Sequence, residues 1–218
     1  MAEGNKINKT FQLVALFLML IALPAGSWYY LKTGMDYRIA TMEELQELGQ
    51  LTEFEIKTDS NTTLGYQDLI GNLVVAGFFS PEKSYLAAPY ALNLQKLQDQ
   101  FNDRERILFA LHSLADGQGS LTDFAIQNNL AENPKVLLVD GAVNEITTLA
   151  ENQYKLPLKG QGSLVDNPYL VLLDTTLTIR NYYDVRETDQ MKKMVEHITL
   201  IMPPSPKKDI YLKRESEK

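Results

Sequence analysis

The sequence contains no cysteine, and it has only two histidines and one tryptophan. Without cysteine the chain cannot form a disulfide, supply a thiol nucleophile or bind a metal through thiolate. Neither histidine is spaced suitably from Ser80 or Ser84 to form a serine triad. These absences exclude thiol chemistry and leave no constellation for a hydrolase.

Clustered positive charge is also missing, since the net charge is −7 and no long basic run occurs. Nucleic acid is therefore not expected as a partner, because phosphate neutralisation needs clustered Lys and Arg. Gly65, Gly71 and Gly77 lie too far apart for a phosphate or dinucleotide loop. A small-molecule ligand is accordingly not predicted either. The composition, 44% hydrophobic and 22% charged, is typical of a folded globular protein.

One long uncharged segment is present, at residues 11–31. As a helix rising ~1.5 Å per residue it spans about 30 Å, the thickness of the hydrocarbon core of a bilayer. Lys6 and Lys9 precede it, and an aromatic cluster beginning at Trp28 lies where an interfacial belt belongs. We predict a single transmembrane helix in the inner membrane. The N-terminus (1–10) would be cytoplasmic, and the remainder would lie on the periplasmic, outer side.

The alternative interpretation is a cleaved signal peptide with residues 13–23 as its apolar region. Ala25 and Ser27 offer small residues for a cut, but the pattern around them fits a cleavage site poorly. No cysteine is available for lipidation. We therefore favour the uncleaved anchor.

Beyond the anchor, we predict a linker with a short helix at residues 32–50, a folded domain at 51–202 and a mobile tail at 203–218. A capping box, Thr41 to Glu44, opens the short helix, and Gly49 ends it. Within the domain, strands are predicted at 51–58, 63–66, 73–79, 107–114, 134–140, 169–174 and 177–184, and helices beginning near 89, 121, 143 and 188. This alternation predicts an α/β fold, a mixed sheet flanked by helices.

The segment 72–101 is the most informative part of this domain. An apolar strand is followed by the turn Ser80-Pro81 and then by a helix ending near Phe101. In thioredoxin-like domains, this strand–loop–helix unit carries a redox or copper-binding cysteine pair. Further matching segments follow in the same order, at 54, 68–72, 94–97, 133–138, 154–157, 172–174 and 179–184. Together they resemble the Sco (SenC/PrrC) family of thioredoxin-like copper proteins, which help to assemble cytochrome c oxidase.

The resemblance also implies where the copper ligands of that family would lie. Its two cysteines would fall on Lys83 and Ala87, and its histidine on Asp166-Asn167. Thiolates select Cu(I), whereas an ammonium group repels a cation. The chain thus resembles a Sco-like domain from which the copper and redox ligands have been lost.

The loop at the former copper site carries our candidate partner-binding residues, Lys83, Tyr85, Leu86 and Tyr90. Tyrosines on a positioned loop favour contact with another protein. If these residues form a partner-binding patch, they lie partly exposed and close together. The alternative is that they fill the space left by the missing site.

The two histidines, His112 and His197, are the remaining candidates for a functional role. His112 lies on a predicted interior strand, which favours a hydrogen-bonded structural role. Met191, Met194 and His197 are spaced by three along a helix and could together bind Cu(I). The same spacing is that of a helix core stripe, which is the interpretation we favour.

We therefore predict a non-catalytic, membrane-anchored Sco-like protein without a cofactor. It would act as a binding or scaffolding factor, or as an accessory subunit, on the outer side of the membrane. The resemblance implies a link to the assembly or support of a respiratory oxidase, with a membrane complex as protein partner. The alternative is a copper metallochaperone that uses ligands other than thiols.

Overall fold

The computed structural model describes residues 9–57, 63–82, 85–114, 120–157 and 164–204. Two units are present, Met1–Glu44 and Leu45–Lys218. The predicted tail falls almost entirely outside the described residues.

The first unit is helical throughout its described part, with α1 at Lys9–Phe17, a π-helical turn at Leu18–Ala22 and α2 at Leu23–Glu43. The π turn comes directly before Pro24, which has no backbone N–H to donate. The helical hydrogen bonds there reach back five residues instead of four, so that the N–H of Leu23 bonds to the carbonyl of Leu18. The helix at residues 11–43 contains an 18-residue stretch with a mean hydropathy of 1.9, and it is long and apolar enough to cross a membrane.

The short helix that we predicted from Thr41 is wrong, because α2 continues without a break through residues 36–43. The hydroxyl of Thr41 donates to the carbonyl of Tyr37, one turn earlier, and so does not cap a new helix. Gln46, a little further on, does not lie in a helix. Its N–H bonds to the carbonyl of Arg180.

The second unit begins with a hairpin of two short antiparallel strands, β1 (Glu55–Lys57) and β2 (Thr63–Gly65). The predicted hairpin is thereby confirmed, although its tip lies outside the described residues. A short helix, α3 (Tyr66–Leu69), follows, and the Asp68 carboxylate accepts a hydrogen bond from the N–H of Gly65.

The main sheet has five strands in the order β5-β4-β3-β6-β7, in which β3, β4 and β5 are parallel and β6 and β7 are antiparallel to their neighbours. Its strands are β3 (Leu73–Phe79), β4 (Ile107–Ser113), β5 (Val136–Val139), β6 (Tyr169–Leu173) and β7 (Ile179–Asp184). All residues of β3 are buried, because helices or loops cover both faces of this central strand. The predicted mixed sheet and the closing hairpin are confirmed.

Helices cover both faces of the sheet. The sheet therefore separates the core into two layers. The helices of the second unit are α4 (Ala87–Gln100), α5 (Ser120–Gln127), α6 (Val143–Thr148) and α7 (Thr188–Ile201). One layer contains apolar side chains of α4, α5 and α7, such as Leu94, Phe124 and Met194. The other contains the hairpin, α3 and α6, through residues such as Ile56 and Ile146. The first layer is the one that holds the candidate site.

Candidate functional site

The site lies where β3 ends and α4 begins. Ser80 leaves the strand, Tyr85 and Leu86 form a turn, and α4 starts at Ala87. Pro89 stands in the first turn of the helix, where its missing N–H would have no intrahelical partner. Our candidate residue Lys83 lies outside the described residues.

Tyr90 fills the space beneath this turn and is completely buried. Its ring stacks on Phe79, with 4.4 Å between the ring centroids. Gly77 makes room for it, because a Cβ at that position would lie 3.1 Å from Cε1 of Tyr90. The hydroxyl points at two backbone carbonyls, 2.9 Å from that of Asn167 and 3.0 Å from that of Tyr169. Tyr90 therefore ties α4 to the segment that leads into β6.

Asn167 occupies the second half of the implied histidine position and is also buried. It follows a short 3-10 turn, Leu164–Asp166, and its Nδ2 lies 3.3 Å from the carbonyl of Tyr169 and 3.4 Å from that of Phe78. Burial raises the pKa of Tyr90, so the tyrosine keeps its hydroxyl proton and continues to donate. The implied histidine position is thus part of a closed hydrogen-bonded contact.

Leu86 and Tyr90 do not have the partial exposure that a partner-binding patch would require, since both side chains are 0% exposed. A side chain in a first helical turn leans back toward the N-terminus. That direction takes the Tyr90 ring under the turn and onto the sheet. These two residues therefore fill interior space beneath the turn, as the alternative interpretation expected.

Tyr85 differs from them, because 67% of its surface is exposed. It lies within hydrogen-bonding reach of Arg186, which follows β7. Arg186 in turn binds the buried Asp184 carboxylate through two bonds, Nε to Oδ1 at 2.9 Å and Nη2 to Oδ2 at 2.5 Å. This bidentate contact raises the pKa of Arg186 and fixes the direction of its guanidinium. Tyr85 and Arg186 thus present a phenol and a cation side by side.

This ion pair was not predicted from the sequence. The available signal was the spacing, a carboxylate at the end of a strand with an arginine two residues later. That signal is weak, since a surface pair of the same spacing contributes little. Only the burial of Asp184 distinguishes the two cases.

A groove of about 750 Å³ lies between α4 and α7. Its residues on α4 follow helical spacing from Ala88 to Gln100, and those on α7 run from Thr188 to Val195. Leu92, one of its lining residues, is 52% exposed. Arg186 borders the groove at the end nearest the site.

The proposed copper-binding trio is buried among the core residues of the same layer. Met191 and Met194 pack in the core, as the helix stripe predicted, and His197 is 1% exposed. The His197 ring nitrogen Nδ1 lies 2.6 Å from the hydroxyl of Tyr183. Among the described residues, no group of three or more His, Asp or Glu side chains is arranged to hold a metal ion. Nothing in this arrangement favours the copper alternative.

His112 faces the other core layer, on the opposite side of the sheet, and is completely buried. Its ring stacks on Phe78 at 4.1 Å, and its Nδ1 lies 3.2 Å from the carbonyl of Gly77. Burial lowers the pKa of His112 to about 4. Its Nε2 has no hydrogen-bond partner among the described residues, and neither has the buried hydroxyl of the adjacent Tyr154. A structural role fits this geometry.

No protein-family model and no curated protein sequence matches the chain. Solved structures do match. A SCO1/SenC family lipoprotein from Bacillus anthracis aligns with a TM-score of 0.57 at 20% identity, over 71% of this chain and 95% of that protein. BsSco, a member of the Sco family of cytochrome c oxidase assembly proteins, aligns with a TM-score of 0.59 at 15% identity, over 71% of this chain and 94% of that one.

The thioredoxin domain of a thiol-disulfide oxidoreductase from Bacteroides vulgatus aligns with a TM-score of 0.52 at 15% identity, over 71% of this chain and 98% of that domain. At these identities the comparisons establish the fold. The predicted thioredoxin-like, Sco-like fold is confirmed. Assembly of an oxidase and exchange of disulfides are described for those proteins.

Proposed function

We propose that this protein is a non-catalytic, membrane-anchored member of the Sco group that binds another protein. It acts as a scaffolding factor or accessory subunit on the outer side of the membrane. Its partner belongs to a membrane complex, and the setting is the assembly or support of a respiratory oxidase.

The closed contact around Tyr90 is the observation that carries this proposal. The implied ligand positions hold lysine, alanine and an Asp-Asn pair, and the chain has no cysteine. In addition, Tyr90 and Asn167 fill the space behind them with buried, hydrogen-bonded side chains. This buried packing beside the implied ligand positions supports a role that does not need a metal there.

The surface around the closed site stays available for a partner. Tyr85 is exposed beside the fixed cation of Arg186, and exposed tyrosine and arginine are frequent anchors of protein interfaces. The apolar helix at residues 11–43 supports attachment to a membrane. The link to an oxidase rests on the likeness to BsSco, which is described as a member of an oxidase assembly family.

The test is affinity purification of the full-length, tagged chain from detergent-solubilised native membranes, followed by quantitative mass spectrometry. We expect a membrane-complex subunit at a stoichiometric ratio. Tyr85→Ser should reduce its recovery severalfold. Ile126→Ser, a matched change at another exposed residue (59% exposed), should not.

Three results would count against the proposal in different ways. Recovery of no stoichiometric membrane protein would overturn the binding role. A partner unrelated to respiration would remove the oxidase link and leave the binding role. Equal recovery with both variants would move the contact away from Tyr85.

A further inference from the structure

The groove between α4 and α7 has a mostly apolar floor and is open to solvent. Leu97, Met191 and Val195 belong to this floor, and Pro89 and Leu92 stand along its α4 side. Leu92 is 52% exposed and adjoins the apolar floor, so together they form an exposed apolar patch of the kind that marks an interaction site. The lining residues on α4 extend from Ala88 to Gln100, so the groove is roughly 18 Å long at 1.5 Å per residue.

The charged side chains that line this groove are all basic, whereas the whole chain is acidic. Its charged lining residues are Lys96, Arg186 and Lys192, and no described acidic residue lines it, although the net charge of the protein is −7. Lys96 makes no ion pair within the described part of the chain. An acidic protein therefore presents a local basic border around an apolar floor.

The two other cations differ in how they are held. Lys192 pairs with Asp189, but these side chains are 68% and 91% exposed, so solvent screens the pair and it contributes little. A partner carboxylate can therefore replace Asp189 at little cost. Arg186 is held by the buried Asp184, so its position is set before any partner arrives.

We propose that this groove docks an acidic amphipathic helix of the partner protein. The inference rests on the proposed function and names the chemistry of its partner. Leucine-like side chains at helical spacing would cover Leu92 and the floor, as in other helix-in-groove complexes. Glutamate or aspartate on the flanks of that helix would meet Lys96 on one side and Lys192 on the other. Basic and uncharged helices lack this complementarity.

Site-specific photocrosslinking of the full-length chain in native membranes tests the proposal. The photoreactive residue p-benzoylphenylalanine replaces Leu92, and a control replaces Ile126, which is exposed but does not line the groove. The crosslinked peptide is then sequenced by mass spectrometry. We expect an adduct from position 92, with a peptide of net negative charge and apolar residues at intervals of three and four. We expect no adduct of that kind from position 126.

Charge reversal in the same background examines the electrostatic part. Lys96→Glu should lower the yield of this adduct at least about tenfold, because attraction becomes repulsion at the border of the groove. Lys57→Glu, the same change on an exposed residue of β1, should leave the yield unchanged. The identified peptide, made synthetically, should bind the detergent-solubilised full-length chain more weakly as salt rises.

The overturning results are specific. Absence of an adduct at position 92, a crosslinked peptide of net positive charge, or an adduct with a second copy of this chain would each refute the groove proposal. Equal yields from the Lys96 and Lys57 variants would also refute it. If affinity purification still recovers a stoichiometric membrane partner in any of these cases, the proposed function stands and only the groove is wrong.

Discussion

The buried histidine in the sheet makes the stability of the domain depend on pH in a defined window. The pKa of His112 is lowered to about 4 by burial, against 6.5 for an exposed histidine. Above pH 6.5 the ring is neutral in both the folded and the unfolded chain, so its contribution to stability is constant. As pH falls below 6.5, the unfolded chain binds a proton that the folded chain does not. Stability is then lost until the pH reaches about 4.

The size of this loss follows from the separation of the two pKa values. At about 1.4 kcal/mol per pH unit, the interval from 6.5 to about 4 corresponds to about 3 kcal/mol. That is a large fraction of the 5–15 kcal/mol that is typical of a folded domain. Carboxylates also titrate near the lower end of this window, so the wild-type curve alone does not isolate the histidine.

Comparison with His112→Phe isolates it, because phenylalanine does not titrate and keeps an aromatic ring against Phe78 and Tyr154. Urea unfolding of the full chain in mild detergent should be followed by far-UV circular dichroism. Fluorescence is unsuitable, because the one tryptophan, Trp28, lies in the N-terminal helix. The free energy of unfolding of wild type relative to the variant should fall by about 2 kcal/mol between pH 7.5 and pH 5. A constant difference over that interval would refute the reasoning.

Two further predictions concern the tyrosines and the glycine beside them. Tyr90→Phe should lower the free energy of unfolding by about 1–2 kcal/mol, since the buried carbonyl of Asn167 loses its side-chain donor and that of Tyr169 loses one of its donors. Tyr154→Phe should be neutral or stabilising, since its buried hydroxyl has no partner among the described residues. Equal effects in urea unfolding would contradict this pair. Gly77→Ala should lower the free energy of unfolding by about 1–3 kcal/mol, because its new methyl group would lie 3.1 Å from the Tyr90 ring. A thermal midpoint equal to that of wild type would show that the methyl group is accommodated without strain.

Periodicity was sufficient to predict the sheet, because its strands carry the pattern of their burial. The run from Leu73 to Phe79 is apolar without alternation, as a strand covered on both faces requires. The stripe of Met191, Met194 and Ile198 likewise identified the core side of α7. The π turn in residues 149–153 left no comparable signal, and we predicted an ordinary helix there.

The predicted helix start at Thr41 depended on competing local bonds, and it was wrong. Thr41 has the spacing of a capping residue, but its hydroxyl bonds to Tyr37 inside a longer helix. The Thr41 hydroxyl is hydrogen-bonded whether it caps a new helix or bonds to the preceding turn of a longer one. The sequence alone does not show which of the two is more stable. The choice depends on whether the preceding residues are already helical.

At the candidate site too, the sequence alone did not predict which side chains are exposed, and this difference matters for function. Tyr85 and Tyr90 look alike in the sequence, five residues apart on one loop, yet one is 67% exposed and the other 0%. The difference arises from long-range contacts. The Tyr90 hydroxyl donates to the carbonyl of Asn167 and its ring packs against Gly77, whereas Tyr85 stays exposed near Arg186.

From this division it follows that the two tyrosines have separable roles. Loss of Tyr90 leaves a cavity behind α4, and it lowers the free energy of unfolding of the protein even without a partner. Loss of Tyr85 removes exposed contact area and leaves the core intact. The double change Tyr85→Ser with Tyr90→Ser therefore confounds binding with folding, and only the single variants assign each effect to its residue. A Tyr85→Ser chain with a wild-type thermal midpoint and wild-type partner recovery would show that the partner contacts another part of this surface.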